Sequence, residues 1–300
     1  MMDDYPSKIL LFGEYTIIKN SSALAIPFAQ YKSFWSDASI QQIDFEHTID
    51  ANFSKNSLLQ IIEDLKKLKK PKIALQRLKK NLEEGLWICS NIPLGYGLGS
   101  SGAVSAAIYD RYVNKKTDNL TQLKQDLARI EHSFHGKSSG IDPLIAYTNA
   151  PLWVHQDKKI EAVNLPKQLN EGCFFLVDSK KARNSAELIH FFMQECTKEP
   201  FEKDFLKPMK VAVERSIEAL IEQDCSTIKQ QMAIITALQF MYLPPMIPRS
   251  MTNLWMTGIE SQDFYLKLCG AGGGGFALGF TQDWEATKVH LYGFDYQKIL

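Results

Sequence analysis

Residues Ile92–Tyr112 read IPLGYGLGSSGAVSAAIYDRY. Glycines stand at 95, 97 and 99, serines at 100 and 101, and Gly102 leads into small residues with helical spacing. Glycine lets backbone amides approach an anion without side-chain clash. A helix starting near Ser101 would aim its first N–H groups and the positive end of its dipole at the same spot. Ser100 and Ser101 add hydroxyls that can reach a phosphate oxygen or a bound magnesium. The stretch therefore predicts a phosphate grip made by the bare main chain of residues 95–102. The bland alternative is a glycine-rich turn before a buried helix.

Two common phosphate loops fit poorly. Gly97, Gly99 and Gly102 spell G-x-G-x-x-G. A dinucleotide fold, however, wants that motif in its first strand–helix unit, with an acidic residue ending the next strand about 20 residues on. The acidic residue at that distance, Asp118, lies in the polar connection KKTDNL. A Walker A loop needs a Lys before its Ser, and Gly99 precedes Ser100.

The bulk numbers narrow the class. Among 300 residues, 45% are hydrophobic and 23% charged, as in a folded soluble protein. The 34 basic and 34 acidic side chains cancel, so the broad positive field of a nucleic-acid binder is absent. The basic run KKLKKPKIALQRLKK from Lys66 reads as a solvated helical face broken at Pro71. The five cysteines are scattered, without a C-x-x-C pair, which suits a reduced cytosolic chain. The start MMDDYPSKILLF lacks the charge pattern of a signal peptide, and no apolar stretch approaches the roughly 18 residues of a membrane helix.

Along the chain, KILLFGEYTII predicts a strand, a tight turn at Gly13–Glu14 and a second strand. SALAIPF and SFWSDASIQQIDF predict further strands. Residues 57–82 look helical with a break at Pro71, GLWICSN is a strand, and TQLKQDLARIEHSFHG is a helix opened by a Thr cap and closed by Gly136. CFFLVDS is a strand, followed by helices over 185–196, 205–223 and 226–241. FYLKLCGAGGGGFALGF is two apolar runs joined by a glycine bend; DWEATKVHLYG is a short helix and DYQKIL a last strand. The composition shifts weakly at NLPKQLNEG, so two domains are expected, 1–168 and 169–300.

Three further patches can carry chemistry. In ARIEHSFHGKSSGIDP, Glu131 lies on a helix and Asp142 follows a turn rich in glycine and serine. Two such carboxylates can converge, one on a hard cation and the other on a hydroxyl proton. Each alone is more often a surface residue or a helix cap. His132 and His135 lie near, but they do not form a zinc pattern. Lys8 precedes an apolar strand; beside a carboxylate it could hold that group ionised or favour a developing alkoxide. Gly272–Gly275 place four glycines where a turn needs one or two, so a ligand or a neighbouring loop should pack onto bare backbone there.

Together, PSKILLFGEY, PLGYGLGSSGAVSAA and KLCGAGGGGFAL resemble, in order, the three motifs of the GHMP kinases, the family of galactokinase, homoserine kinase, mevalonate kinase and phosphomevalonate kinase. EHSFHGKSSGID and DSKKARNSAEL are similar to segments of its mevalonate kinase branch. The resemblance implies a mixed α/β, α+β architecture: an N-terminal domain like ribosomal protein S5 and a ferredoxin-like C-terminal domain. It implies an ATP- and Mg2+-dependent phosphotransferase acting on the primary hydroxyl of mevalonate in isoprenoid precursor synthesis. It gives Asp142 and Lys8 the catalytic roles, and Ser101 and Glu131 the metal. Gly95, Gly97, Leu98, Gly99, Ser100, Ser101 and Gly102 would bind ATP. Glu14, Tyr15, Ser139, Gly140, Arg183, Ser185, Gly272 and Gly273 would form the substrate side, with Lys137 a further candidate cation.

Some residues depart from that branch. Tyr15 stands where mevalonate kinases carry His, Gly102 where Ala is common, and Ser7 where P-G-K is usual. These differences leave phosphomevalonate or another small acceptor as the alternative. An NAD-dependent oxidoreductase and a non-catalytic sensor are the rival classes. The expected partners are ATP and a small alcohol, without nucleic acid or membrane, and a homodimer is compatible with the sequence.

Overall fold

The computed structural model describes residues 4–37, 51–136, 138–182 and 185–300, with backbone alone at 51–53, 135 and 185. Arg183 and Lys137 lie outside the described residues, as does most of SDASIQQIDF. The chain forms two compact units. The first comprises residues up to Ile9, Ile26–Leu94 and Leu98–Ala150. The second comprises Leu10–Ala25, Gly95–Gly97 and Pro151–Leu300. Both draw on strand β1 (Tyr5–Phe12) and on β2 (Ala23–Ser36) beside it.

In the first unit the chain continues through α1 (Ala51–Lys66), α2 (Leu75–Glu83), β3 (Trp87–Ser90), α3 (Ser100–Tyr112), α4 (Leu120–His135) and α5 (Ile141–Thr148). The end of β2 pairs antiparallel with β3, Ser33 opposite Ser90 and Phe34 opposite Cys89. Burial pushes the Cys89 thiol up to about 11, so it acts as a small apolar residue. Helix α3 buries Ala103, Ala106 and Ala107 together with Tyr109 and Tyr112. Its alanines let neighbouring elements come close, and the Trp35 indole donates to the Ala107 carbonyl at 3.2 Å. Helices α4 and α5 add Leu127, Ile130, Leu144 and Ile145 to this core.

In the second unit the start of β2 pairs with β4 (Leu152–Val154), which pairs with β5 (Ile160–Ala162). Then come β6 (Cys173–Asp178), α6 (Ser185–Glu195), α7 (Glu199–Phe201), α8 (Lys207–Glu222), α9 (Cys225–Tyr242), α10 (Thr252–Ser261), β7 (Phe264–Leu268), β8 (Phe276–Thr281), α11 (Trp284–His290) and β9 (Tyr296–Lys298). A four-stranded antiparallel sheet has the order β7-β8-β6-β9, with α9 and α10 packed on β7. The Phe175 ring lies over Gly279, where any side chain would collide with it. Two buried polar side chains tie α9 to β7: Thr236 Oγ1 donates to the Leu266 carbonyl at 2.7 Å, and Gln239 Oε1 accepts from the Leu268 amide at 2.8 Å. The mixed α and β fold class expected above is therefore what forms.

Local differences have physical causes. The second strand expected after Gly13 is instead a tight 3₁₀ turn over Thr16–Lys19. Tyr15 adopts φ 61° and Asn20 φ 58°, so the run Thr16–Ile18 curls back before it can extend. Helix α4 starts at Leu120, not after a Thr cap, because the Asn119 side chain accepts from the Gln122 amide. SALAIPF and SFWS join in one 14-residue strand that runs through Pro27. Helices α5, α7 and α10 and strands β4 and β5 are additional to the sequence reading.

One buried charge pair stands out in the second unit. Lys267, in the middle of β7, has a side chain that is 0% exposed, and its ammonium is paired with Glu14, 2% exposed. The same ammonium donates to the Leu268 carbonyl at 2.8 Å and lies 5.8 Å from the centre of the Phe12 ring. Removing one partner of such a pair leaves an uncompensated buried charge. Lys267→Met should therefore lower unfolding free energy by about 3–5 kcal/mol in urea titration; a loss below about 1 kcal/mol would contradict the pairing.

Candidate active site

The first unit gathers the groups on which the chemistry hinges. Lys8 lies in β1, whose backbone is tied to the glycine loop by a 2.9 Å hydrogen bond from the Lys8 amide to the Leu98 carbonyl. Its ammonium stands 3.2 Å from Asp142 Oδ1. The Lys8 side chain is 9% exposed and that of Asp142 31%, so the carboxylate is the partner open to a ligand. Asp142 sits in the first turn of α5, where the helix dipole favours a negative charge.

Gly99 fits between these two side chains. A Cβ at this position would lie 3.2 Å from both Lys8 Cγ and Asp142 Cβ, and the residue has φ 80°. Gly95 and Gly97 are also left-handed, with φ 78° and 70°. Helix α3 begins directly after Gly99, at Ser100, with the Ala103 amide closing on the Gly99 carbonyl at 2.9 Å. The amides of its first turn have no intrahelical acceptor, as in any α-helix. In the first unit, a left-handed glycine thus leads into a helix N-terminus beside an ammonium and a carboxylate, which is a suitable environment for an anion.

A second carboxylate faces α3. Glu131, buried on α4, accepts from Ser101 Oγ at 2.8 Å through Oε1 and from the Ser138 hydroxyl through Oε2. Ser138 Oγ in turn accepts from the Gly140 amide at 2.9 Å, and Ser139 Oγ from the Ile141 amide at 3.3 Å. Gly140 has φ 76° and backs onto α4 so closely that a Cβ would collide with the Lys124 carbonyl and lie 2.9 Å from Ala128 Cβ. The serine–glycine turn therefore holds α5, and with it Asp142, against α4. The oxygen donors of Ser101 and Glu131 suit a hard cation such as magnesium, which commonly takes one or two protein oxygens and completes its shell with water and phosphate.

In the second unit, the predicted substrate residues have structural partners. Glu14 is paired with Lys267, and the Tyr15 hydroxyl donates to the Ala271 carbonyl. Ser185 opens α6. A Cβ on Gly272 would lie 2.6 Å from the Met246 carbonyl oxygen, and one on Gly273 2.6 Å from Leu188 Cδ1. Gly274 abuts the Lys181 backbone, and a Cβ on Gly275 would lie 2.7 Å from the Tyr96 carbonyl oxygen. The four-glycine bend is thus packed by neighbouring backbone, one of the two occupants the sequence suggested.

Sequence reasoning missed Ser138 and Lys267 as partners of the two buried glutamates. Lys267 carried a signal, because a lone charge inside the apolar run FYLKLC has to find a partner when buried. Ser138 was visible only as part of a turn.

The chain is similar to known proteins in both sequence and fold. The GHMP kinases N terminal domain matches residues 56–149. A mevalonate kinase of Pyrococcus horikoshii is 28% identical over 51% of this chain, which spans only half the length of that relative. A mevalonate kinase of Thermococcus sibiricus is 23% identical over 96% of this chain and 92% of its own. The structure of L. major mevalonate kinase in complex with R-mevalonate shares the fold at TM-score 0.68 and 16% identity, covering 100% of this chain and 95% of the other.

The closeness of Gly102 to Asp142 gives a test of this geometry. A Cβ at 102 would lie 2.8 Å from Asp142 Cβ, Asp142 C and Pro143 N, a backbone clash that a rotamer change cannot relieve. Gly102→Ala gains about 1 kcal/mol in helix propensity but should lose about 1–3 kcal/mol to overpacking. Net destabilisation is expected in thermal unfolding, and a stabilised variant would refute the packing.

Proposed function

We propose that this chain is a GHMP kinase and that it transfers the γ-phosphoryl group of ATP to the primary hydroxyl of mevalonate, a reading supported by its similarity to that family and to mevalonate kinases. The observation that carries this reading is the Lys8–Asp142 pair, 3.2 Å apart and packed on Gly99 of the glycine loop. The chemistry requires positioning and charge stabilisation more than covalent help from the protein.

In this reading the amides of residues 97–102 and the N-terminus of α3 hold the β- and γ-phosphates. Ser101 and Glu131 would hold magnesium. When bound, the ion offsets charge on the phosphate oxygens. Lys8 stands beside Asp142 and faces the acceptor oxygen. That oxygen forms a bond to the γ-phosphorus as the bond from the γ-phosphorus to the ADP oxygen breaks, and Asp142 takes the hydroxyl proton. A carboxylate is a weak base toward an alcohol, so the proton moves late, once the new bond has acidified it.

The site should be tested by ADP release from the purified chain with ATP, magnesium and either mevalonate or phosphomevalonate. Turnover with mevalonate supports the proposal. Turnover with phosphomevalonate alone moves the acceptor, and silence with both removes the kinase reading. Asp142→Asn should lower turnover by about 10²–10⁴-fold while nucleotide binding persists. Full turnover in that variant would exclude Asp142 as the base.

A further inference from the structure

We infer that Tyr15, backed by the buried Glu14–Lys267 pair, positions the phosphate loop and does not contact the acceptor. The inference rests on reading residues 95–102 as the nucleotide grip. All the contacts that carry it lie within the second unit, which includes Gly95–Gly97.

The chain of contacts starts at the tight turn after β1. Glu14 is fixed by an ammonium that is itself buried in β7. Tyr15 follows at φ 61°, a backbone state that a non-glycine residue holds only when its surroundings enforce it. Its ring lies 4.8 Å from that of Phe192, and its hydroxyl donates to the Ala271 carbonyl. That proton is therefore committed to main chain.

Ala271 sits in the most permissive stretch of the protein. Gly270, Gly272, Gly273 and Gly275 all have positive φ, between 68° and 79°. Such a loop has much freedom to lose and needs external fixing. Tyr15 supplies one tie at Ala271. The Gly275 amide, donating to the Lys181 carbonyl at 2.7 Å, and the Ser179 amide, donating to the Gly275 carbonyl at 3.0 Å, supply others. The loop then presses on Tyr96: its carbonyl oxygen lies 2.7 Å from where a Gly275 Cβ would be, and its ring lies 5.4 Å from that of Phe276. Tyr96 is flanked by Gly95 and Gly97, so between those two glycines it is the one residue with a side chain to be held. The path Glu14–Tyr15–Ala271–Gly275–Tyr96 thus ends on the phosphate loop itself.

Tyr15→Phe keeps the ring and removes the hydroxyl. It should weaken binding of AMP-PNP with magnesium by about fivefold, the effect of one hydrogen bond, and leave KM for mevalonate unchanged. Tyr96→Leu, which cuts the other end of the path, should weaken AMP-PNP similarly. The double variant should bind no worse than the weaker single, because both act through one loop. A raised KM for mevalonate with unchanged AMP-PNP affinity in Tyr15→Phe would overturn the inference, as would losses that simply add. Failure of the unaltered protein to bind AMP-PNP would instead remove the nucleotide reading beneath it, so the two failures are distinguishable.

Discussion

An ammonium held 3.2 Å from a carboxylate, with a glycine between their side chains, is the constraint on which the rest of the first unit depends. Lys8 is too buried to be left without a partner, and Asp142 meets it from the first turn of α5. Both α3 and α5 therefore have to begin at this point, and each does so directly after a left-handed glycine, Gly99 and Gly140. Gly102 lets α3 pass Asp142 where a methyl group would not fit. Glu131 provides the second anchor, taking hydroxyls from α3 and from the turn that leads into α5. The pair, Gly99 and the second carboxylate form one packed arrangement within the first unit.

The second unit repeats this logic with a different pair. Lys267 and Glu14 are both removed from water, and their cohesion fixes the turn that carries Tyr15. The four-glycine bend is lined by the backbone of three other segments, at Met246, Lys181 and Tyr96, and by the Leu188 side chain. Bare backbone thus serves two purposes in this chain. In the loop over 95–102 it admits an anion on the proposed reading, and over 272–275 it admits other protein.

Much of the candidate arrangement was legible because the residues involved have few alternative uses. Three glycines in alternation before a helix, and a carboxylate after a serine–glycine turn, are patterns that chemistry restricts. The strands CFFLVDS and FALGF were legible from unbroken apolar runs, and α3 from its small-residue spacing. What escaped depends on contacts distant in sequence. The turn over Thr16–Lys19 reads as a strand until the positive φ of Tyr15 is known. The Asn119 cap competes with a Thr two residues later on nearly equal terms. Glu14 looks like a ligand residue by position, and only the fold reveals that Lys267, 253 residues away, meets it.

On the proposed function, Lys8 and Asp142 act as one unit on the reacting oxygen, and a double-mutant cycle on single-turnover phosphoryl transfer measures that coupling. Residues that work as a unit give strongly non-additive losses. Lys8→Met combined with Asp142→Asn should be scarcely slower than the worse of the two single variants. Losses that multiply in the double variant would mean that the two groups act independently and that their pairing has no part in the transfer.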